Sequence, residues 1–247
     1  MQQHNNAIIK VGAVSYCNTK PMITGLLYHE SIDLVVDYPA NIATMLLNNT
    51  IDIGLVPVTV IPQLPQHYLV SNYGIGTIGK VTSVCVYSKV PMEQIETILL
   101  DYQSNTSVQL LKILLQEYWH KTVALKPATI GYEQLIAGTT AALIIGDRAF
   151  YHNTQHPYIY DLSEAWYKHT QLPFIFARWV ANKNLGINTE AHFIQAIGTN
   201  LYRFKNTDAY KKMNTTEQYY IANYIQYNLT TPYNKGMELF LSKVSIE

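Results

Sequence analysis

Four short segments of this 247-residue chain gather side chains that could grip an anion without adding charge. They are "SYCNT" (15–19), "GKVTS" (79–83), "SNTS" (104–107) and "IGD" (145–147). Each falls where a strand-like run ends or a helix-like run begins. Amides at a helix start point outward and carry partial positive charge, so they receive carboxylates well. Hydroxyls of Ser15, Thr19, Thr82, Ser83, Ser104, Thr106 and Ser107 add donors, as do Tyr16 and Asn18. Gly146 and Asp147 close the fourth segment, where Asp147 could bind a hydroxyl, take a proton, or simply cap a helix. Ser, Thr and Asn cap helices for structural reasons too, so each segment alone says little. Together they describe a site for a small anionic organic molecule.

The elements that must position these segments follow from periodicity. "AIIKVGAVSY", "IDLVVDY" and "IDIGLVPVTVI" read as strands, with helices expected from "NTKPMITGLLY" and "PANIATMLLNN" between them. Pro21 and Pro39 suit first-turn positions. Further on, "TSVCVYSK", "TILLD" and "AALIIGDRAF" read as strands. "SNTSVQLLKILLQEYW" reads as a helix capped by Ser104 or Thr106, with Val108, Leu111, Leu115 and Tyr118 on one side. "ATIGYEQLIAG" is a helix candidate, and the chain turns mostly helical after "LPFIFARWVANK". The stretch "EQYYIANYIQYNL" predicts a core-facing helix through Tyr220, Ile221, Tyr224, Ile225 and Leu229. Strands alternating with helices predict an α/β fold with mixed or parallel sheets and a helical C-terminal segment. A second βα set, residues 89–178, looks inserted into a lobe made of 1–88 and 179–247, with the site expected in the cleft between the lobes.

Composition excludes several classes. Lys plus Arg equals Asp plus Glu at 17 each, without the basic excess of a nucleic-acid binder. No apolar run reaches a membrane span, and "MQQHNNAIIKVGAV" does not read as a secretory signal, so a cytoplasmic protein is expected. Cys17 and Cys85 lie in apolar runs without metal spacing and read as buried thiols. His152 and His156 stand four apart in "YHNTQHPY", but the surrounding Asn, Gln and Pro predict a solvated loop rather than a metal site. His169 reads as a surface residue. "GIGTIG" (74–79) has no amphipathic helix behind it, so no nucleotide cofactor is expected, and no metal. The partners expected are the small molecule itself and, at most, a second copy of the chain.

The segments "VGAVSYCNTKP", "DIGLVPV", "VTSVCVYS", "DYQSNTSVQLL", "IIGDRA", "YDLSEAW" and "TQLPFIFARW" occur in the order seen in chorismate dehydratases. The resemblance spans roughly residues 8–180. It implies a two-lobed fold like that of periplasmic type-2 solute-binding proteins. It further implies a hydro-lyase of the futalosine route to menaquinone, converting chorismate to 3-[(1-carboxyvinyl)oxy]benzoate. On this resemblance Asn18 and Ser83 are expected to be catalytic, with Ser15, Tyr16, Thr19, Thr82, Ser104, Thr106, Ser107, Gly146 and Asp147 binding substrate. The family usually carries Leu, Arg and Gly where this chain has Cys17, Asn105 and Gln171. With Arg missing at 105, Lys80 or Arg148 could supply charge to a substrate carboxylate. The rival readings are a non-catalytic small-anion-binding protein and the 1,4-dihydroxy-6-naphthoate synthase of the same pathway.

Overall fold

The computed structural model describes residues 8–244. Residues 1–7, where the segment read as carrying no export signal begins, and 245–247 lie outside the described residues. The chain divides into two compact units, Met1–Gly74 with Ala177–Gln218 and Ile75–Phe176 with Tyr219–Glu247. The first unit opens with β1 (Ile9–Ala13), α1 (Lys20–Ile23), β2 (Ile32–Val36), α2 (Pro39–Leu47) and β3 (Ile53–Pro57). β4 (Tyr68–Thr77) runs on into the second unit. There follow β5 (Val84–Ser88), β6 (Thr97–Leu100), α3 (Asn105–Glu117), β7 (Ala124–Pro127) and β8 (Thr140–Ile145). α4 (Ala149–His152), β9 (Tyr158–Asp161) and α5 (Leu162–Thr170) come next. β10 (Phe174–Ala181) returns to the first unit for α6 (Ile187–Arg203) and α7 (Asp208–Lys211). α8 (Thr215–Asn223), β11 (Gln226–Asn228) and α9 (Thr231–Lys243) complete the described chain.

In the first unit β1 lies between β2 and β3, parallel to both, and β10 runs antiparallel to β3. α2 covers this sheet because Ile42 and Leu46, one helical turn apart, are both fully buried. The approach is close enough to require Gly12 in β1. A Cβ there would stand 2.6 Å from Ile51 Cδ1 and 3.1 Å from Ile42.

The second unit is built on a sheet of order β7-β6-β8-β5-β9. β6 is parallel to β7 and β8, whereas β5 is antiparallel to β8 and β9. α3 buries Leu110, Leu111 and Leu114 completely and Leu115 nearly so, whereas Val108 and Tyr118, also expected on that side, are half-buried. An aromatic knot joins the end of the chain to this unit: Phe240 of α9 meets Phe174 at 5.0 Å and Trp166 of α5 at 6.1 Å, edge-on.

Three expected elements differ. "IDIGLVPVTVI" stops being a strand at Pro57 and becomes a 3-10 helix over Val58–Gln63, which contains Pro62; proline offers no N–H to a ladder. "ATIGYEQLIAG" keeps only one 3-10 turn, Tyr132–Leu135, between Gly131 and Gly138, both at positive φ. α8 ends at Asn223, so Ile225 and Leu229 are buried from an extended run around β11 rather than from a helix face. The "YHNTQHPY" stretch is largely exposed, at Tyr151, Thr154, Gln155, Pro157 and Tyr158, but its two histidines turn inward. His152 and His156 are half-buried, stack on each other at 5.7 Å and meet the Tyr87 ring at a tilt, at 5.8 and 5.6 Å.

α5 ends on Gln171 in the left-handed region at φ 59°, the position where helices favour glycine. That fits the Gly that the resemblance implies at this place. Substituting Gln171→Gly is expected to raise stability by about 0.5–1 kcal/mol, read as a higher urea midpoint.

Candidate functional site

Sheet geometry in the second unit brings three of the four predicted segments to one edge. Val84 pairs with Ile145 across the antiparallel β5–β8 ladder, which sets Ser83 beside Gly146; the Gly146 amide donates to the Ser83 carbonyl at 2.8 Å. β6 runs parallel to β8, so the helix that follows β6 starts at the same sheet end. Thr82, Ser83, Ser104, Thr106, Ser107, Gly146 and Asp147 therefore belong to one end of one sheet. The "SYCNT" segment belongs to the first unit and follows the C-terminal end of β1.

The turn before β5 is unusual. Thr82, a β-branched residue, sits at φ 61°, where such side chains are rarely found. Asp161, at the end of β9, holds it there. Its Oδ2 accepts from the Val81 and Thr82 amides at 2.9 and 2.7 Å. Its Oδ1 accepts from the Ser163 and Glu164 amides at 3.0 Å each, capping α5. Burial pushes this carboxyl above its usual range, against the opposing pull of the amides. Ser83 is nearly buried at 3% exposure, and its Oγ lies 2.7 Å from Tyr220 Oη of α8.

At the α3 start, Ser104 caps the helix by accepting from the Ser107 amide at 3.2 Å, and the two hydroxyls lie 3.0 Å apart. Thr106 and Ser107 are both 1% exposed. Asn105, where the resemblance implies Arg, is exposed. Arg148 does not replace that charge freely. Its guanidinium pairs with Asp101 at 2.5 Å and Glu133 at 2.7 Å, and lies over the Tyr102 and Tyr132 rings. Burial works against the cation, but Asp101, Tyr132, Tyr102 and Glu133 outweigh it and hold its pKa above the ordinary value. Asp101 is buried and also accepts from the Gln103 amide at 2.7 Å and the Ile145 amide at 3.2 Å. This network ties the end of β6 to the end of β8. Lys80 is exposed.

In the first unit the "SYCNT" turn divides its labour. Cys17 and Thr19 are fully buried, and Thr19 Oγ1 lies 2.6 Å from the Val14 carbonyl and 2.7 Å from that of Tyr16. Tyr16 and Asn18 are half-buried, and Ser15 is exposed at the rim of a cavity of about 1050 Å³ that Lys20 and Arg203 also line. The other thiol, Cys85, lies in β5, and burial pushes its pKa well up. No group of three or more metal-ligating side chains occurs among the described residues, and no described helix is long and apolar enough to cross a membrane. His169 is exposed, as expected, with its Nε2 3.2 Å from Glu117 Oε2.

Asp101, Asp161 and the Tyr220 hydroxyl are not marked as site groups by the sequence. "YDLSE" does carry a helix-cap signal, Asp followed three residues later by Glu. Nothing local announces that the same carboxylate reaches residues 81 and 82, or that Tyr220 reaches residue 83.

Two outcomes follow. Asp101→Ala strands a guanidinium against Glu133 alone and orphans the Ile145 amide, so a loss of about 3–5 kcal/mol is expected in urea unfolding. His152 and His156 are held below their ordinary pKa, first by burial. The unfolded chain therefore binds more protons as pH falls through about 6.5, and stability drops there. Melting temperature should fall between pH 7.5 and 5.5, and a His152→Gln/His156→Gln pair should flatten that dependence.

Comparison with known proteins agrees with this fold and extends it. A family model described as menaquinone biosynthesis matches residues 9–245. A chorismate dehydratase of Thermus thermophilus is 27% identical over 193 residues, 68% of each chain. Among solved structures, an Archaeoglobus fulgidus protein superposes with TM-score 0.74 at 13% identity, covering 98% of this chain and 97% of that one. The ligand-binding component of a Staphylococcus aureus ABC-type importer gives 0.58 at 13% identity, covering 96% and 90%. The periplasmic aliphatic sulphonate-binding protein of Escherichia coli gives 0.56 at 12%, covering 97% and 84%. These place the chain in the periplasmic-binding-protein-like α/β fold. With nearly its whole described length matched, the chain belongs to the menaquinone biosynthesis family that includes the chorismate dehydratases.

Proposed function

We propose that this chain is a chorismate dehydratase, a hydro-lyase that removes water from chorismate to give 3-[(1-carboxyvinyl)oxy]benzoate. The observation that carries the reading is the family match over residues 9–245, joined by a relative named for that activity. The chemistry of the second unit's sheet end supports it. Thr82, Ser83, Ser104, Thr106 and Ser107 are neutral donors, the Asp101 carboxylate beside them is occupied by Arg148, and Lys80 and Asp147 are the charged side chains of the same segments. A donor set made mostly of neutral groups suits a dianionic substrate that brings its own base.

In chorismate the C–H beside the enolpyruvyl ether is acidified through the ring diene by the ring carboxylate, and loss of water yields an aromatic ring. The substrate's enolpyruvyl carboxylate accepts that proton, and hydroxide leaves from the neighbouring carbon. Asn18 and Ser83 then act by hydrogen bonding, to the accepting carboxylate or to the departing hydroxyl, stabilising charge as it develops. Positioning of this kind lowers barriers by about 7–11 kcal/mol in favourable cases.

The test is direct. Purified protein mixed with chorismate should generate the substituted benzoate, seen by mass spectrometry and aromatic absorbance. Binding of chorismate without conversion would mark a solute-binding protein instead. Asn18→Ala should lower kcat by about 100-fold or more while KM moves less. A kcat near wild type would remove Asn18 from the chemistry.

A further inference from the structure

We propose that Tyr220 is a positioning residue for Ser83, holding the serine hydroxyl so that its proton faces substrate. The inference rests on the dehydratase reading above and deepens it. Three facts converge on residues 81–83. The backbone of the turn is fixed at the Val81 and Thr82 amides by Asp161, and at the Ser83 carbonyl by the Gly146 amide. That leaves the Ser83 side-chain rotor as the free variable. Its Oγ lies 2.7 Å from Tyr220 Oη, and the two residues are 3% and 2% exposed.

Tyr220 is itself held. It comes from α8, far along the chain, and Phe150 meets its ring edge-on at 4.9 Å. A buried hydroxyl with a rigid ring behind it is a fixed dipole. When Tyr220 donates to Ser83 Oγ, the serine proton is freed to donate elsewhere, and the two bonds polarise each other. Without that donor, Ser83 would turn its own proton toward whichever acceptor lies nearest.

Tyr220→Phe removes one oxygen and keeps the ring against Phe150. The expected result is a fall in kcat of about tenfold, the rate equivalent of one hydrogen bond, with KM changed less than twofold. A double-mutant cycle separates positioning from packing. In a Ser83→Ala background Tyr220→Phe should have no further effect on kcat, because its target is gone. An equal loss in both backgrounds, or a Tyr220→Phe enzyme with wild-type kcat, would overturn the inference while leaving the dehydratase reading intact. If Ser83→Ala itself turns over normally, the role given to Ser83 falls, and this inference with it. Thermal melts of all four proteins ensure that the comparison is made between folded enzymes.

Discussion

One carboxylate organises the second unit. Asp161 accepts four backbone N–H groups, two from the turn before β5 and two from the start of α5. A helix cap alone would need only half of that capacity. The other half keeps a β-branched residue, Thr82, in a backbone conformation it would otherwise leave, at a cost of about 1–3 kcal/mol. Strain of this kind persists only when surrounding contacts over-determine it. Here they do: the same short turn is tied to β8 through Gly146 and to α8 through Tyr220.

Charge is handled with similar economy. Arg148 directly follows a predicted binding segment, yet Asp101 and Glu133 both engage it. The cluster carries more negative than positive charge, so its work is to lock the ends of β6 and β8 together rather than to attract an anion. On the proposed function, attraction at this sheet end falls to hydroxyls and amides, with Lys80 exposed beside them. Neutral donors contribute less long-range pull than a guanidinium, but a dipole fixed in a poorly hydrated site need not reorganise when charge moves.

How much of this was legible beforehand depends on the range of each interaction. Strands and the α3 stripe were readable because periodicity is local. The Ser104 cap was readable because a cap is set within four residues. The segments at 82–83, 104–107 and 146–147 could be flagged individually, since each ends or begins an element. Their meeting at one sheet edge needed the β5–β8 register and the parallel β6–β8 pairing, which no short window contains. Misread elements had local causes too: proline ended β3 early, and paired glycines cut a helical pattern around Tyr132 to a single turn. Tyr220 was correctly expected in a core-facing helix, but its hydroxyl was not. Aromatic spacing reports where a ring goes and says nothing about what its oxygen meets.

The aromatic knot that closes the second unit has a consequence for biogenesis. Trp166 and Phe174 are synthesised well before Phe240, the ring that seals them, and Gly236 of the same helix packs against the Pro173 carbonyl. Throughout the making of residues 177–230 a nascent chain on the ribosome carries those two rings without their lid, an interval of several seconds at the pace of translation. Cellular chaperones that recognise exposed aromatic surface would meet this polypeptide during that window and lose their grip once α9 has docked.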